Sequence, residues 1–322
     1  MSQFPLVSII IPCFNSERYL ANAIDSVLNQ SYHNIELIIV DDCSTDNTLE
    51  IIRQYQAVDG RIRLLCREQR GGRPAITKNT GIDHIRGEFV CFLDHDDYYL
   101  PGKIEALLLP LLKNQDCVAA FHDIDLVDSD GNFINQYLDN FTTDAVDYIE
   151  QLNGNEFVTH ENFFAFQSVH YAAIHTISVM IAVERFGKTN LHFDTRYNVC
   201  DDTDLWIRLG ISGKLIFINS RLAHYRQHTN NITKNRLKVQ QDIISLLENN
   251  YPRVIDKLSK TEKLNLKKRI SNHYSDLGWL HRQTYNPLES TSAYIKAWKW
   301  SGDLKHLIHA AKSLFPARRT AQ

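Results

Sequence analysis

Short, strongly apolar runs alternate with segments of helical period in the N-terminal part of the chain. Residues 7–11 are rich in β-branched side chains and end at Pro12, as a strand buried on both faces does. Residues 19–28 then carry apolar side chains at helical spacing, and residues 35–40 form a second apolar run. The alternation continues with a helix at 48–55, a strand at 62–66, a helix at 76–85 and a strand at 89–93. It predicts an α/β fold with a mainly parallel sheet flanked by helices.

The strand ends carry the polar residues of this pattern. Ligands of such sheets bind at the carboxyl ends of the strands, so residues 12–15, 41–46 and 94–97 are expected to be neighbours. The last group packs carboxylates closely, at Asp94, Asp96 and Asp97. Like charges in one place are costly unless a cation joins them, and hard oxygen ligands suit Mn²⁺ or Mg²⁺. An acidic turn that caps the next helix is the alternative, although capping needs one carboxylate.

Composition and charge narrow the class of protein. Of 322 residues, 43% are hydrophobic and 23% charged, which is typical of a globular protein. The net charge of -3 argues against a nucleic-acid-binding domain. The cysteines stand singly, so we expect reduced thiols and a cytoplasmic protein. We find no signal-peptide pattern and no apolar run long enough for a bilayer, so a lipid-borne acceptor would be reached from the membrane surface.

The C-terminal part of the chain is predicted to be helical from about residue 235. We therefore predict a catalytic domain at residues 1–234 and a helical appendage at residues 235–322. The segment 312–319 is basic and partly apolar, which fits peripheral contact with anionic lipid at the inner face of the membrane, or a solvated tail. Residues 132–170 show little regular spacing of apolar side chains. They fit either a loop on the acceptor side of the site or an insertion with a purely structural role.

A series of motifs follows the predicted strand ends. They are VSIIIPCFN at 7–15, VDDCSTD at 40–46, NTGI at 79–82, GEFV at 87–90, FLDHDD at 92–97 and DDTDLWIRL at 201–209. In order and spacing this set resembles the family 2 glycosyltransferases. The resemblance implies a GT-A fold and sugar transfer with inversion at the anomeric carbon.

The resemblance also implies roles for side chains that bind the nucleotide-sugar. Pro12, Phe14 and Asn15 would line the pocket of the base. Asp42 would pair with the base, and Asp94 would reach the ribose.

A metal ligand and a general base follow from the same resemblance. Asp96 would bind the metal, and His228 lies in a segment, YRQH, that resembles one whose histidine can approach the metal. A polar surface histidine is the simpler explanation of His228. Asp202 falls where the family keeps its general base, and Asp201 stands where the family usually has Glu. Carboxylates in the first turn of a helix also interact favourably with the helix dipole, which alone could explain Asp201 and Asp202. This explanation is compatible with a catalytic role.

Positive side chains near a glycine-rich loop could neutralise the diphosphate. Arg70 and Arg73 flank the glycines at 71–72, and Lys78 follows in the next helix. The family usually has Arg where Lys78 stands. Lysine keeps the charge but lacks the bidentate fork of arginine.

These features predict an inverting, metal-dependent glycosyltransferase that uses Mn²⁺ or Mg²⁺. The donor would be a nucleotide-diphosphate sugar, UDP by preference, and the acceptor a hydroxyl of a saccharide or lipid-linked glycan. Bacterial surface polysaccharide synthesis is the family's commonest setting. The alternative is a catalytically silent scaffold that binds a partner through its C-terminal helices. Retention of the carboxylates at 42, 94, 96 and 202 argues against that alternative.

Overall fold

The structure, a computed structural model, describes residues 4–228 and 235–314. Within these residues the chain divides into two compact units, one of residues 4–166 and 172–228, the other of residues 167–171 and 235–314. The sequence did not suggest that residues 167–171 belong to the helical unit. They do so because Arg269 Nη1 donates to the carbonyl oxygens of Gln167 and Ser168, each at 2.8 Å. The predicted boundary after residue 234 adjoins a segment outside the described residues.

A mixed sheet forms the centre of the first unit. Its strands are β1 (Val7–Cys13), β2 (Ile35–Asp41), β3 (Ile62–Cys66), β4 (Phe89–Phe92), β5 (Tyr98–Tyr99), β6 (Cys117–Val127), β7 (Phe133–Gln136), β8 (Ile149–Asn153), β9 (Glu156–Thr159), β10 (Val179–Ala182) and β11 (Lys214–Arg226). Among the described residues the order is β3-β2-β1-β4-β10-β6-β11-β9-β8, with β5 paired to β11 and β7 to β6.

Strand direction divides the sheet. β3, β2, β1 and β4 are mutually parallel, as are β6 and β11. β10 lies antiparallel between β4 and β6. The prediction of an α/β fold with a largely parallel sheet is confirmed. The antiparallel insertion of β10 was not predictable, because a buried strand shows the same apolar run in either direction.

Helices flank this sheet and complete its core. They are α1 (Leu20–Leu28), α2 (Thr48–Val58), α3 (Pro74–Asp83), α4 (Lys103–Lys113), α5 (Phe141–Asp144), α6 (Phe163–Val169), α7 (Val183–Phe186) and α8 (Asp201–Ser212). Every residue of β1 and β2 is buried, which matches their continuous apolar runs. Helices α1 and α4 bury Ile24, Val27, Leu107 and Leu111 completely in the same core.

The strand register brings the polar strand ends to one edge of the sheet. Pro12 is opposite Val40 and Cys13 is opposite Asp41, so β1 and β2 end side by side. β4 pairs with the other side of β1 and ends at Phe92, two residues before Asp94. The loops after these strands are therefore neighbours, as the alternation of elements predicts.

The second unit consists of α9 (Arg236–Val254), α10 (Lys260–Gln283), α11 (Pro287–Ser301) and α12 (Lys305–Ser313). α10 begins with a capping box, in which the Ser259 hydroxyl accepts from the Glu262 N–H and the Glu262 carboxylate accepts from the Ser259 N–H. In the part of the chain that the structure describes, no helix is long and apolar enough to cross a membrane. Most of the basic tail, residues 315–319, lies outside the described residues, so its contact with lipid stays a prediction.

Candidate active site

The acidic cluster lies in the loop after β4. Asp97 is 1% exposed, and burial together with the negative charges of Asp96 and Asp94 raises the pKa of its carboxyl group well above the usual value. Burial also raises the pKa of Asp94, with the positive charge of Lys78 opposing the shift and the negative charge of Asp96 adding to it. A cation bound here would relieve this repulsion, so the donor set fits a divalent metal.

Arg226, the last residue of β11, holds the acidic loop in place. Its N–H donates to Asp97 Oδ1 at 2.8 Å, and its Nε donates to the carbonyl of Asp96 at 2.9 Å. The guanidinium lies over the rings of Tyr19 and Tyr98, 4.7 and 5.1 Å from their centroids. Sequence reasoning missed Arg226. Its position two residues before His228, a predicted metal ligand, was the one sequence feature that could have indicated it.

His228 lies beside the acidic cluster. Its Nε2 is 2.8 Å from Asp96 Oδ2, and the ring of Tyr19 stacks on it with centroids 5.5 Å apart. Among the described residues no three His, Cys, Asp or Glu side chains form a complete metal centre. Asp96 and His228 are the side chains here that could hold a divalent cation such as Mn²⁺ or Mg²⁺, through one oxygen and one nitrogen donor.

Pro12, Phe14 and Asn15 form the end of β1 and the loop after it. The guanidinium of Arg70 lies over the Phe14 ring, 3.7 Å from its centroid. Asn15 has a positive φ of 50°, and its Oδ1 accepts from the Thr45 N–H at 2.8 Å. Asn15 thus connects the loop after β1 to the loop after β2. The sequence predicts Asn15 only as part of the base pocket and does not indicate this structural role.

The Asp42 carboxylate lies under the glycine-rich loop. Its two oxygens accept from the N–H groups of Gly71 and Gly72, at 2.7 and 3.1 Å. Arg67 Nε lies 2.8 Å from Oδ1 as an ion pair, although its N–H does not point at that oxygen. A carboxylate has about four lone-pair positions, so a nucleotide base would share Asp42 with these groups.

Arg73 and Lys78 have partners other than those the sequence suggested for diphosphate ligands. Arg73 Nη1 donates to the carbonyl of Thr195. Lys78 Nζ lies 2.7 Å from Asp201 Oδ2, and both side chains are buried. Burial lowers the pKa of Lys78, but the negative charges of Asp201, Asp94 and Asp202 raise it overall. Lys78 therefore lies within electrostatic range of the acidic loop and of the start of α8.

Asp202 occupies the first turn of α8. Its Oδ2 accepts from the Thr176 hydroxyl at 3.0 Å, and its Oδ1 accepts from the Thr203 hydroxyl at 3.3 Å. Thr176 precedes β10, the strand next to β4. Two segments far apart in sequence thus orient one carboxylate, which is half-buried and partly open to solvent.

Three aromatic rings border this region, and sequence reasoning missed them as a group. The His175 ring lies 4.8 Å from the Tyr225 ring and 5.6 Å from the Tyr137 ring, between centroids. Burial lowers the pKa of His175 to about 4, so the ring is neutral at pH 7. Tyr137 is 36% exposed. We call Tyr137, His175 and Tyr225 the aromatic wall.

Comparison with known proteins identifies the family. The model of glycosyl transferase family 2 matches residues 8–171. The chain belongs to this family. The putative teichuronic acid biosynthesis glycosyltransferase TuaG of Bacillus subtilis is 30% identical over 236 residues, 73% of this chain and 84% of the relative. Glycosyltransferase GlyG of Streptococcus pneumoniae is 30% identical over 245 residues, 75% of this chain and 78% of the relative.

Solved structures extend the likeness beyond the residues that the family model matches. S. aureus TarS 1-349 in complex with UDP-GlcNAc has a TM-score of 0.59 at 15% identity, covering 97% of this chain and 93% of that one. Mannosyltransferase PcManGT from Pyrobaculum calidifontis, in complex with GDP-Man and Mn²⁺, has a TM-score of 0.61 at 16% identity, covering 98% and 88%. At such identities the likeness shows the fold alone, and it confirms the GT-A fold of this family 2 glycosyltransferase.

Proposed function

We propose that this glycosyltransferase moves a sugar from a UDP-sugar to a hydroxyl of a saccharide or lipid-linked glycan, with inversion at the anomeric carbon. One observation carries the proposal. Asp202 Oδ2 accepts from the Thr176 hydroxyl at 3.0 Å, and Thr176 leads into β10, which pairs with β4 just before the acidic loop. The carboxylates proposed for the donor side and for the acceptor side therefore lie at one edge of the sheet. An inverting transferase needs a general base on the acceptor side of the transferred sugar and side chains that bind the leaving nucleotide on the opposite side.

The donor half of the site would be formed by the strand ends. Pro12, Phe14 and Asn15 would border the base, Asp42 would pair with it, and Asp94 would contact the ribose. The complex of TarS with UDP-GlcNAc supports a uridine donor. Phe14 and Arg70 already stack on each other, so a base entering here would lie against a preformed aromatic and guanidinium surface.

Asp96 and His228 would hold the divalent cation. Mn²⁺ or Mg²⁺ bound there would neutralise charge on the leaving diphosphate. The complex of PcManGT with Mn²⁺ supports a metal in this fold. The pair at 2.8 Å supplies one oxygen and one nitrogen donor, and both side chains are partly accessible.

Asp202 would act as the general base. Its carboxylate would accept the proton of the acceptor hydroxyl while the hydroxyl oxygen forms the bond to the anomeric carbon. The bond from that carbon to the diphosphate oxygen breaks on the opposite face, and UDP leaves with the electron pair. Hydrogen bonds from Thr176 and Thr203 orient the carboxylate for this task.

The acceptor would approach along the aromatic wall. Sugar rings present apolar C–H faces that pack on aromatic side chains. Tyr137 offers an exposed ring 5.6 Å from that of His175, the residue before Thr176, whose hydroxyl bonds Asp202. The name of TuaG supports a setting in bacterial surface polysaccharide synthesis. The single spacing of the cysteines along the sequence supports a cytoplasmic location.

Calorimetry and turnover together test this function. Wild-type protein should bind UDP with Mn²⁺ and bind it more weakly after chelation. Asp202→Asn should keep the metal-dependent binding but lose at least about a hundredfold in UDP release from the UDP-sugar that a donor screen identifies. Asp139→Asn, a substitution of an exposed loop carboxylate, is the matched control.

Two results would contradict the proposal in different ways. Full turnover by Asp202→Asn would remove the general-base assignment. Absence of metal-dependent UDP binding by the wild type would favour the catalytically silent scaffold.

A further inference from the structure

Residues 190–200, which lead into α8, are fastened to α3. We call them the strap. Asn79 bonds the backbone of Phe193 twice, with Nδ2 donating to its carbonyl at 2.9 Å and Oδ1 accepting from its N–H at 2.8 Å. Arg73 donates to the carbonyl of Thr195, and His192 Nε2 lies 2.8 Å from Asp83 Oδ1. Contacts from α3 and from the residue before it thus fix the path of the strap.

The strap is also fastened to α8. Arg208 Nη2 donates to the carbonyl of His192 at 2.7 Å, and Nη1 donates to the carbonyl of Asn190. Arg208 Nε pairs with Asp204 of the same helix at 2.8 Å. A shift of the strap would therefore break the bonds of Arg208 or move α8 with it.

Lys78 lies at the junction of α3, the strap and α8. Its Nζ is 4.1 Å from the centroid of Phe193 in the strap and 2.7 Å from Asp201 Oδ2 in the first turn of α8. Asp201 precedes Asp202 directly, and the side chains of Lys78 and Asp201 are 4% and 6% exposed. Because the Lys78 ammonium group is buried and already paired with Asp201, it is poorly placed to bind a diphosphate.

We propose that Lys78 is a positioning residue that fixes the first turn of α8, and with it the Asp202 carboxylate, through the ion pair with Asp201. The proposal rests on the proposed function, in which Asp202 is the base. Loss of one partner leaves a buried charge uncompensated, so the turn must move to hydrate the charge. A displacement of about 1 Å at a catalytic group costs on the order of a hundredfold in rate.

The experiment compares Lys78→Met, Lys78→Arg, Asp201→Asn and the double variant Lys78→Met/Asp201→Asn. Lys214→Met is the control, since Lys214 forms an exposed ion pair with Asp116 at 3.7 Å. UDP affinity is measured by calorimetry with Mn²⁺, turnover by UDP release from the donor found in the screen, and folding by thermal unfolding. Hydrogen exchange of peptides covering residues 193–205 reports the order of the strap and the first turn.

Lys78→Met and Asp201→Asn should each lower turnover roughly a hundredfold, with UDP affinity within about threefold of wild type. Lys78→Arg should restore most of the rate. The double variant should be no worse than either single variant, because both act through one contact. Exchange at residues 193–205 should rise in the two single variants and stay unchanged in Lys214→Met.

A loss of UDP affinity of about tenfold or more in Lys78→Met but not in Asp201→Asn would overturn the proposal and make Lys78 a diphosphate ligand. Additive losses in the double variant would also overturn it. If the wild type bound no UDP, the proposed function would fail. Unchanged exchange at residues 193–205 in Lys78→Met would refute the positioning role even then.

Discussion

The backbone N–H of Arg226 donates to Oδ1 of Asp97 at 2.8 Å, which joins the end of β11 to the acidic loop. The guanidinium adds hydrogen bonds to the carbonyls of Asp96 and Ser129. Because His228 follows Arg226 by two residues, these bonds set the distance between Asp96 and His228. The arrangement of the two proposed metal ligands therefore depends on the contacts of Arg226 with the acidic loop.

Replacement of Arg226 by Met should weaken Mn²⁺-dependent UDP binding by about ten- to a hundredfold, the range seen when groups behind metal ligands are removed. Calorimetry at several Mn²⁺ concentrations measures this. Arg221→Met, on the same strand but in an exposed pair with Asp125, is the control and should bind as the wild type does. Equal losses in both variants would mean that β11, not the acidic loop, is affected.

Removal of either proposed metal ligand should raise the Mn²⁺ concentration required for UDP binding. We expect Asp96→Asn and His228→Gln each to shift the Mn²⁺ titration by at least about tenfold, since each removes a donor atom. His224→Gln is the control, because this ring hydrogen-bonds the Tyr98 hydroxyl through Nδ1 at 2.6 Å. An unchanged titration in His228→Gln would leave Asp96 as the sole protein ligand of this pair.

The strand ends could be predicted from sequence because their placement needs only the order and type of elements. Alternating apolar runs and helices imply parallel neighbours, and parallel neighbours bring residues 12–15, 41–46 and 94–97 to one edge. The family resemblance, which includes the motif at 201–209, added the expected role of Asp202 as general base.

Side-chain partners across long sequence separations could not be predicted. The bonds of Asp42 to Gly71 and Gly72 depend on a loop in which Gly72 has a φ of +70°. The pairing of Lys78 with Asp201 depends on the path of the strap, which has no periodicity to read. The charge of Arg73 and Lys78 and their place near the glycine-rich loop predict contact with the diphosphate, but neither feature shows which carboxylate or carbonyl lies nearby.

Tyr137→Ala should separate acceptor use from donor use. The aromatic wall would lose its exposed ring, so transfer to a saccharide acceptor should fall roughly two- to tenfold through a higher KM, as loss of ring packing costs about 0.5–1.5 kcal/mol. UDP binding with Mn²⁺ should not change. Leu152→Ala, an exposed apolar residue on β8, is the control. An unchanged acceptor KM would exclude the wall from the acceptor site.

Gly87→Ala should destabilise the first unit. A Cβ at this position would lie 2.6 Å from Ser8 Oγ and 2.8 Å from the carbonyl oxygen of Leu6, so β1 would have to move. We expect a loss of about 1–3 kcal/mol in the free energy of unfolding, the usual cost of overpacking. Gly60→Ala, where no atom lies within 4 Å, is the control for denaturant unfolding. Similar stability of the two variants would contradict this close contact.

His273 should make the helical unit sensitive to acid. Burial, assisted by the positive charge of Arg269, lowers the pKa of His273 to about 4 from an ordinary 6.5, and Nδ1 hydrogen-bonds Gln240 Oε1 at 2.8 Å. Between these pH values the unfolded chain binds a proton that the folded chain does not. The stabilisation from the neutral ring is therefore complete above about pH 6.5 and is lost as the pH falls toward 4, by up to about 3 kcal/mol.

The variant His273→Gln removes this proton linkage. Denaturant unfolding of the wild type should lose more free energy than that of His273→Gln between about pH 7 and pH 4, with the curves converging toward acid. His33→Gln, a substitution of an exposed histidine, should follow the wild type across the same range. Parallel curves for wild type and His273→Gln would show that this histidine takes up its proton equally in the folded and unfolded chains.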